Sequence, residues 1–329
     1  MDKSQNTSEI ISRLDLYLLM RNTDLSRSFI SNAIKNGFVK VNNVVIIKSS
    51  HKVKLHDEVE FAFSDAKNLF QEADVENVIP NPSIHLNIFY EDDDLLVINK
   101  DSGIATHPSQ GHLEDTLLNG VHAYLHSESS VSNLRKHMVH RLDKDTSGLI
   151  MFAKTSQMLW WLHKQFAERS ITKKYYSLVF SNKKESLPFS FQISGYMERS
   201  RKENKHLFSA KYGRWSSTDF NILNNYVYKD TNLMQYLSLV ECLPKTGRTH
   251  QLRVHLKQNN TPIFGDVIYS SDKQQLIAQK ISERNSTRNR LFLHAFSLSF
   301  KSYDGKNYDF NIDLNDDLKE IINKLDEVK

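Results

Sequence analysis

The chain has 329 residues, of which 39% are hydrophobic, 25% charged and 10% aromatic. This composition supports a buried core and excludes a disordered, collagen-like or coiled-coil chain, while the length predicts two domains. Cys242 is the single cysteine, which excludes an internal disulfide and a cysteine-based zinc site and favours a reducing, cytoplasmic compartment. No apolar run approaches the ~20 residues of a membrane span, and the start MDKSQNTSEI lacks the apolar block of a signal peptide.

Charge is spread unevenly along the chain. The total of 43 Lys and Arg against 39 Asp and Glu leaves a formal net charge of only +4, which is too small to indicate nucleic-acid binding. Basic residues outnumber acids eight to three in residues 8–54 and nine to three in residues 131–176, whereas acids dominate residues 65–94 and 304–329. The distribution therefore predicts a polarised surface with two basic blocks.

The N-terminal part of the chain has the pattern of a small helical module. Apolar residues at helical spacing in residues 9–20 predict a first helix. A second helix follows, with Ser26 in the position of an N-cap and Gly37 in the position of a C-terminal stop. Two strands then flank an Asn42-Asn43 turn. Residues 8–64 are therefore predicted to form a helix-helix-strand domain.

A second, larger domain follows an acidic segment. Residues 65–85 contain two prolines and little periodicity, which is typical of a linker. From residue 86 to residue 312 strand patterns outnumber helix patterns in an irregular order, which predicts an α+β domain on a mixed, largely antiparallel sheet. Residues 313–329 are predicted to form an amphipathic C-terminal helix.

Three segments of the larger domain are more polar than a fold alone requires. They are residues 140–148 (HRLDKDTSG), 173–176 (KKYY) and 246–256 (TGRTHQLRVHL). The end of the first segment is also compatible with a plain turn before a buried strand. The third is compatible with a basic strand, although neither face of that strand is apolar in the way a structural strand requires. Taken alone, these segments leave structural and functional interpretations open.

Several other catalytic patterns are absent from the sequence. There is no Walker A loop, no GxGxxG fingerprint, no HExxH helix and no GxSxG elbow. His137 and His140 lie three residues apart, and His250 and His255 five apart, but no set of thiolate or acidic ligands accompanies them. We therefore expect no metal site.

Taken together and in order, the three polar segments resemble the RluA/RluD-type pseudouridine synthases. HRLDKDTSGL is similar to that family's most specific motif, KKYYSLV to its second and TGRTHQLRVHL, which continues to TPIFGDVIY, to its third. YEDDDLLVINKDSG and LFLHAFSLSF resemble the opening segment and a late strand of the same family. The resemblance covers about residues 86–300 and implies an enzyme that isomerises uridine to pseudouridine without a cofactor.

Residues 12–61 resemble a second family, the small RNA-binding module of the fourth small-subunit ribosomal protein. SRLDLYL, LSRSFISNAIKNGFVKVNN and LHDEVEF carry this similarity. The module contains an alpha-L motif, a helix-turn-helix followed by strands, and it commonly precedes this type of synthase. The resemblance implies an N-terminal RNA-binding domain.

Three positions depart from the family patterns. Asp101 follows Lys100 where the synthases usually have proline. His56 stands where the RNA-binding module usually has glycine, and Lys301-Ser302 replaces a common His-Pro pair. All three positions lie outside the catalytic motifs, so we expect them to alter local loops more than activity.

The resemblance implies three catalytic residues. Asp143 corresponds to the family's nucleophilic aspartate, with Asp145 as the competing acid in the same motif. Arg253 corresponds to the arginine that pairs with this aspartate and opposes the rise in pKa that burial alone would cause. Tyr175 corresponds to the active-site tyrosine, which stacks on the uracil or exchanges a proton at the sugar, with Tyr176 as the alternative register.

The resemblance also implies how the RNA is held. The target base must leave its stack before a carboxylate can reach it, and Arg141 corresponds to the family's intercalating arginine, with a phosphate contact as the alternative. His140 is expected to shape the catalytic loop without proton chemistry of its own. The other basic residues that we expect to contact the RNA backbone are Lys144, Arg248, Arg27, Lys35 and Lys40.

The sequence thus predicts a monomeric, cytoplasmic RNA pseudouridine synthase that needs no metal and no cofactor. Structured RNA is the expected partner, and the appended module favours large-subunit ribosomal RNA, with transfer RNA as the alternative substrate. A non-catalytic RNA-binding factor in ribosome assembly is the competing function. Such a factor would need the basic blocks but not the aspartate, tyrosine and arginine together.

Overall fold

The computed structural model describes most of the chain. The described residues are 10–21, 27–66, 78–109, 111–126, 138–181, 188–200, 206–209, 212–282 and 290–328, and the side chains of residues 10, 11, 27, 28 and 209 lie outside this description. The chain divides into two compact units, Met1–Asn77 and Val78–Lys329. Within the described ranges, no helix is both long and apolar enough to cross a membrane.

The first unit is built from short helices and strands around a small apolar core. Its elements are β1 (Ile10–Arg13), α1 (Leu14–Arg21), α2 (Arg27–Lys35), β2 (Val39–Val41), β3 (Val44–Val45), β4 (Lys52–Lys54) and β5 (Val59–Phe61). β1 pairs with β4, and β2 lies between β3 and β5. The buried aliphatic side chains of this core are Leu14, Leu18, Ile30, Ile34, Val39, Val41 and Val53. The predicted helix-helix-strand order is confirmed, although residues 10–13 form a strand and not the start of the first helix.

Two turns of the first unit follow directly from their residues. Asn42 and Asn43 have positive φ angles of 52° and 64°, and they join β2 to β3 in a two-residue turn that asparagine tolerates well. Gly37 has φ 80° and ends α2, since its N–H donates to Ile34 O. Both predictions are confirmed, while the predicted N-cap, Ser26, lies outside the described residues.

A large sheet dominates the second unit. Its described strands are β6 (Ile88–Glu91), β7 (Leu95–Lys100), β8 (Ser147–Ala153), β9 (Thr172–Ser181), β10 (Ser190–Arg199), β11 (His206–Ser209), β12 (Arg214–Asp230), β13 (Leu233–Pro244), β14 (Leu293–Lys301), β15 (Asn307–Asn311) and β16 (Asp326–Glu327). The helices are α3 (Leu117–His126), α4 (Ser156–Glu168), α5 (Gln251–Gln258), α6 (Asp272–Ser282) and α7 (Asp316–Ile322).

The strand order shows a mixed sheet. The main path runs β11-β10-β12-β13-β9-β14-β8-β7-β6, with β15 paired to β14 and β16 paired to β12. β14 and β8 are parallel, and the other pairs among the described strands of this sheet are antiparallel. The predicted α+β class with a largely antiparallel sheet is therefore confirmed.

Strand β8 begins at the end of the first polar segment. All seven of its residues, SGLIMFA, are buried, as expected for a strand that is covered on both faces. Gly148 has φ 109°, and a Cβ at this position would stand only 2.3 Å from Ala295 O, so glycine permits the close approach of β14. The loop before β8 is thus anchored in the middle of the sheet.

The third polar segment ends in a helix, although its alternating apolar residues were compatible with a strand. Residues 251–258 form α5, and the first six of them are buried. A helix that is buried on all sides has no amphipathic stripe to reveal it. Apolar residues at every second position, Leu252, Val254 and Leu256, therefore imitate a strand, and the strand interpretation is wrong.

Two segments near the predicted domain boundaries make contacts that the sequence did not indicate. Val78 is buried, and Asn119 Nδ2 donates to Ile79 O at 2.8 Å, so residues 78–85 begin the second unit. At the C-terminus α7 ends at Ile322, and residues 326–327 pair with β12. Both contacts join residues distant in sequence, which local patterns do not encode. The boundaries themselves stay predictions.

Candidate active site

The three polar segments meet at one cleft of about 500 Å³ in the second unit. Residues 139–143 form one wall, the end of α4 with the start of β9 forms another, and residues 244–253 form the third. These walls adjoin because β13, β9, β14 and β8 are consecutive neighbours in the sheet. The topology thus brings together residues that lie more than 100 positions apart in the sequence.

Asp143 is the acid of this cleft, and no other described lining residue carries a carboxylate. Its Oδ2 lies 3.9 Å from Arg253 Nη1 and 4.0 Å from His250 Nε2. The Asp143 side chain is 18% exposed, so a substrate can reach it from the cleft. Asp145, the competing acid of the same motif, is absent from the lining. The geometry therefore favours Asp143 as the reactive carboxylate.

Arg253 is held in place by a second carboxylate. Its Nε donates to Asp266 Oδ2 and its Nη2 donates to Asp266 Oδ1, both at 2.8 Å, and both residues are buried. Burial opposes the charged guanidinium, but the hydrogen bonds and charge of Asp266, with a smaller contribution from Asp143, raise the pKa of Arg253. One edge of the guanidinium is anchored in this way, and Nη1 is directed at Asp143.

Tyr175, and not Tyr176, reaches the cleft. Neighbouring side chains of a strand point to opposite faces, and the ring of Tyr176 stacks on Phe296 at 3.7 Å. Burial, and after it the negative charge of Asp143, raise the pKa of Tyr175 well above its usual range. The Tyr175 hydroxyl is therefore protonated at neutral pH and is available as a hydrogen-bond donor.

A chain of hydrogen bonds behind Asp143 orients His250. Tyr269 OH accepts from the backbone N–H of His206 at 3.0 Å and lies 2.9 Å from His250 Nδ1. With Nδ1 engaged by Tyr269, the opposite ring nitrogen, Nε2, faces Asp143. Burial lowers the pKa of His250, and the negative charge of Asp143 opposes this shift. Tyr269 therefore fixes which edge of the imidazole is turned toward the carboxylate.

Side chains from residues 100–106 hold the backbone of the catalytic loop, here residues 142–145. Three hydrogen bonds of 2.6 to 3.0 Å do so: Thr106 Oγ1 to Leu142 O, Ser102 Oγ to Asp145 O and Lys100 Nζ to Lys144 O. Burial lowers the pKa of Lys100 to about 7, although the negative charge of Asp145 opposes this shift. The fully buried Lys100 therefore acts as a brace and is shielded from solvent.

The departure at Asp101 leaves this brace intact. Lys100 Nζ donates to the main-chain oxygens of Asp101 and Ile104 at 2.7 and 2.9 Å. Proline, the residue usual in the family, offers the same main-chain acceptor. The substitution therefore preserves the contact that this position makes with Lys100.

Arg290 joins the catalytic loop to the C-terminal segment. Its Nη2 donates to Ser147 Oγ at 2.8 Å and its Nη1 to Asp145 O at 3.4 Å. Its Nε donates at 2.6 Å to Asp317, which lies in the first turn of α7. Ser147 Oγ in turn lies 2.8 Å from His294 Nδ1. The start of β8 is consequently braced by residues from the far end of the chain.

His140 has a structural environment. Its Nε2 accepts from the Met151 N–H at 3.0 Å, and its ring packs on Phe166 at 5.4 Å. Burial, and second the charge of Lys173, lower the pKa of His140 to about 3. An imidazole that stays neutral and accepts from the main chain orients the loop and does not serve as an acid at neutral pH.

Comparison with known proteins places the chain in a family. The family model described as RNA pseudouridylate synthase matches residues 94–258, half of the chain, and the S4 domain model matches residues 12–59. The chain belongs to the RNA pseudouridylate synthase family. It is thus an RNA pseudouridine synthase that carries an S4 domain, and both resemblances seen in the sequence are confirmed.

Relatives of the synthase extend over most of its length. It is 31% identical over 327 residues to the uncharacterized RNA pseudouridine synthase YlyB of Bacillus subtilis, and the match covers 99% of this chain and 98% of the relative. It is 35% identical over 263 residues to ribosomal large subunit pseudouridine synthase D of Borreliella burgdorferi, with 78% and 75% covered. The solved structure of human RNA pseudouridylate synthase domain containing 4 has a TM-score of 0.55 at 24% identity, covering 73% of this chain and 94% of that chain, and supports the fold.

The expected RNA contacts of the synthase occupy different places around the cleft. Arg141 is exposed at the cleft, with Nη1 3.3 Å from His107 Nε2. Arg248 also lines the cleft. Lys144 is absent from the lining, and its Nζ lies 2.8 Å from His112 Nε2. The structure therefore brings Arg141 and Arg248 to the site of Asp143 and directs Lys144 elsewhere.

The S4 domain presents two of its three expected contacts at the surface. Lys35 at the end of α2 and Lys40 in β2 are exposed, and Lys40 Nζ lies 3.8 Å from a Glu60 carboxylate oxygen. The backbone of Arg27 begins α2, but its side chain lies outside the described residues. Lys35 and Lys40 are accessible to a phosphate backbone.

Several residues that hold the site together had no such role assigned from the sequence. They are Lys100, Thr106, His250, Asp266, Tyr269 and Arg290. His250 lies in the third polar segment, and Asp266 and Tyr269 lie in its continuation, TPIFGDVIY, so a signal was present without this role. The other three are polar residues whose role depends on partners that lie far away in the sequence.

Proposed function

We propose that this synthase uses Asp143 as its nucleophile on uridines of large-subunit ribosomal RNA. One observation carries the proposal: Asp143 is the single acid among the described residues that line the cleft, and it lies within 4.0 Å of both Arg253 and His250. A carboxylate in such a setting is aimed at whatever enters the cleft.

The reaction needs little beyond a well-placed carboxylate. The bond between N1 of uracil and C1′ of ribose breaks, a bond between C5 and C1′ forms, and a proton lost from C5 is balanced by one gained at N1. The composition of the nucleotide does not change, so no electron acceptor is required. Asp143 at the sugar or at the base can divide this rearrangement into two easier steps.

Arg253 orients the nucleophile. Because its other edge is anchored to buried Asp266 by two bonds of 2.8 Å, the guanidinium does not have to reorganise when the substrate arrives. Its Nη1 lies 3.9 Å from Asp143 Oδ2, so the positive charge faces the carboxylate in a cleft that a bound nucleotide would dehydrate.

Tyr175 supplies a ring and a proton beside the nucleophile. Its ring lies in the cleft on a rigid strand, where an uracil can stack on it. Its protonated hydroxyl can donate to the sugar or the base as the glycosidic bond rearranges. Tyr176 is excluded from this role by its position against Phe296.

Arg141 is suited to replace the extruded base. It is exposed at the cleft, two residues before Asp143 in the same loop. A uridine that reaches Asp143 leaves a gap in its stack, and a planar guanidinium can fill such a gap. Loss of this side chain should therefore weaken catalysis on structured RNA more than on unpaired uridines.

The substrate assignment rests on the relatives and on the S4 domain. Two relatives that cover most of the chain are named as ribosomal large subunit pseudouridine synthases, D in Borreliella burgdorferi and C in Buchnera aphidicola. The exposed Lys35 and Lys40 of the S4 domain, with Arg27, would add contacts to a large folded RNA. Transfer RNA is the alternative substrate.

The deciding experiment pairs two carboxylates of one loop. Asp143→Asn should abolish pseudouridine formation in an unmodified large-subunit ribosomal RNA transcript while the Kd for that RNA stays within about threefold, since the polar shape is kept. Asp145→Asn is the matched control and should remain active. Pseudouridine is measured by nucleoside chromatography, and activity that survives in Asp143→Asn would refute the assignment.

We expect a monomer that needs neither metal nor cofactor. No group of His, Cys, Asp and Glu within the described ranges could hold a metal ion. Activity should be unchanged by EDTA at millimolar concentrations. Loss of activity with EDTA and its return with added divalent ion would contradict this expectation.

A further inference from the structure

Part of the cleft lining carries positive charge that no carboxylate of the described residues neutralises. Two of the cations in its lining are paired, Arg253 with Asp266 at 2.8 Å and Lys245 with Asp219 at 2.7 Å. The lining cations without a carboxylate partner among the described residues are Arg141, Arg169, Lys173 and Arg248. Excess positive charge inside a concave site favours an anionic ligand.

Lys173 is the most buried of these unpaired cations. Its Nζ lies above the ring of Phe166 at 5.3 Å, and a Cβ on Gly247 would stand 3.7 Å from it. Burial lowers the pKa of Lys173. A desolvated ammonium without a counter-ion is costly to the folded protein, and an anion entering the cleft would remove that cost.

Arg169 occupies a backbone position that favours glycine. It caps the C-terminus of α4 in the left-handed region, at φ 60° and ψ 31°, where a side chain is disfavoured. Its exposed side chain lines the cleft and has no carboxylate partner among the described residues. Backbone strain of this kind clusters at ligand-binding sites.

Arg248 lines the cleft next to Gly247, where an added Cβ would lie 3.7 Å from Lys173 Nζ. Its backbone N–H donates to Gln251 Oε1 at 3.0 Å, and its Nε donates to Trp215 O at 3.1 Å. These bonds fix the loop and one edge of the guanidinium. In the part of the chain that the structure describes, its two Nη groups have no hydrogen-bond partner, so they can form a fork for an oxyanion.

The position of this cluster relative to Asp143 identifies the anion. Lys173 and Tyr175 are two residues apart on β9 and point to the same face, about 7 Å from each other. A uridine held at Tyr175 and Asp143 carries a phosphate on each side of its sugar, within one nucleotide of the reacting atoms. We infer that Arg169, Lys173 and Arg248 form a subsite for a phosphodiester that adjoins the target uridine, an inference that rests on the proposed function.

The test uses a substitution that removes charge and relieves strain together. Arg169→Gly deletes the guanidinium and places glycine where the backbone favours it, so the protein should be no less stable. For an unmodified large-subunit ribosomal RNA transcript, Kd at 0.1 M KCl should rise about fivefold, and the slope of log Kd against log [KCl] should fall by about 0.7. Lys173→Gln should do the same.

The matched control is Lys280→Gln, which removes one positive charge from an exposed lysine paired with Asp230 outside the cleft. It should change neither Kd nor its salt slope. If Arg169→Gly behaves like Lys280→Gln, the subsite is refuted, and this variant decides the matter even where Lys173→Gln folds poorly. A weaker Kd with an unchanged salt slope would place the contact on the base and would also refute it.

Failure of the proposed function gives a different result. A wild-type protein that binds the transcript but forms no pseudouridine contradicts the enzymatic proposal, yet the comparison of salt slopes remains valid because it measures binding alone. A KM for the transcript that rises with Kd in Arg169→Gly, by more than kcat falls, would connect the subsite to catalysis.

Discussion

Arg253 and Lys173 line the same cleft and have opposite environments. Arg253 is bound by the buried carboxylate of Asp266 through two hydrogen bonds and faces Asp143. Lys173 is half-buried and has no carboxylate partner among the described residues. The paired cation is part of a rigid catalytic arrangement that exists before RNA arrives. The unpaired cation gains a counter-ion only when an anionic ligand binds.

This difference separates positioning from binding within one site. A charge pair whose partners are both buried preserves geometry because breaking it leaves an isolated charge in the interior. A desolvated charge without a partner does little for geometry and increases the gain on binding an anion. Substitutions at the Asp266 end should therefore alter kcat and stability, whereas substitutions at the Lys173 end should alter Kd and KM.

The largest effect is expected at Asp266. Asp266→Asn leaves Arg253 buried without its counter-ion, which should lower the free energy of unfolding by about 3–5 kcal/mol. Because the guanidinium is then free to move from Asp143, kcat should fall at least about 100-fold. Urea denaturation and single-turnover kinetics measure the two effects.

An exposed pair provides the control for Asp266. Asp219→Asn removes the carboxylate that lies 2.7 Å from Lys245 Nζ at the surface, and it should cost less than about 1 kcal/mol. If Asp266→Asn lowered the free energy of unfolding no more than Asp219→Asn, the contrast between the rigid surroundings of Arg253 and the ligand-binding surroundings of Lys173 would be refuted.

A smaller effect is expected at Arg290, which braces the loop of Asp143 from behind. Arg290→Ala removes the hydrogen bonds to Ser147 and Asp145 and the ion pair with Asp317. It should cost about 2–3 kcal/mol of stability and lower kcat about tenfold with KM little changed. Arg290→Lys should restore part of kcat.

Lys319→Ala is the comparison for Arg290, since Lys319 forms an exposed pair with Asp313 in the same C-terminal segment. It should leave kcat unchanged and stability within about 1 kcal/mol. A KM effect in Arg290→Ala without a kcat effect would show that Arg290 belongs with the binding residues and not with the positioning residues.

The smallest effect is a pH dependence from Lys100. Burial lowers its pKa to about 7 from an ordinary value of 10.5, so between these values the unfolded chain binds more protons than the folded protein. Stability that arises from this group must then rise with pH above about 7. Compared with Lys100→Met, the wild-type protein should gain about 1 kcal/mol between pH 7 and pH 8.

Denaturation at several pH values measures this difference, with Lys257→Met, at an exposed lysine, as the control whose difference from wild type should stay flat. A difference for Lys100→Met that is also flat would mean that Lys100 remains charged in the fold. In that case the three main-chain carbonyls it contacts would suffice to stabilise a buried ammonium.

Much of the architecture could be predicted from local patterns. The Asn42-Asn43 turn, the stop at Gly37 and the buried strand that follows Gly148 each depend on a backbone preference or a short apolar run. The helix at residues 251–258 could not, because burial on every side erased the periodicity that distinguishes a helix from a strand.

The candidate site shows the same division. Asp143, Tyr175 and Arg253 could be named from motif residues, and the structure brings all three to one cleft. Asp266 could not be named as the anchor of Arg253, nor Arg290 as the brace of the loop. The sequence shows that a carboxylate or a guanidinium is present, but it does not show whether its partner is water or a buried ion.

The sequence by itself determined the family, the fold class and the chemical groups available to the reaction, since motif residues and turn preferences act over a few positions of the chain. Tertiary structure alone decided which charges are neutralised. Arg253 meets Asp266 and Arg290 meets Asp317, while Lys173 meets no described carboxylate. These pairings depend on distances that the whole sheet sets. In a dehydrated interior the electrostatic energy of two charges a few ångströms apart changes steeply with distance, so it cannot be inferred from order along the chain.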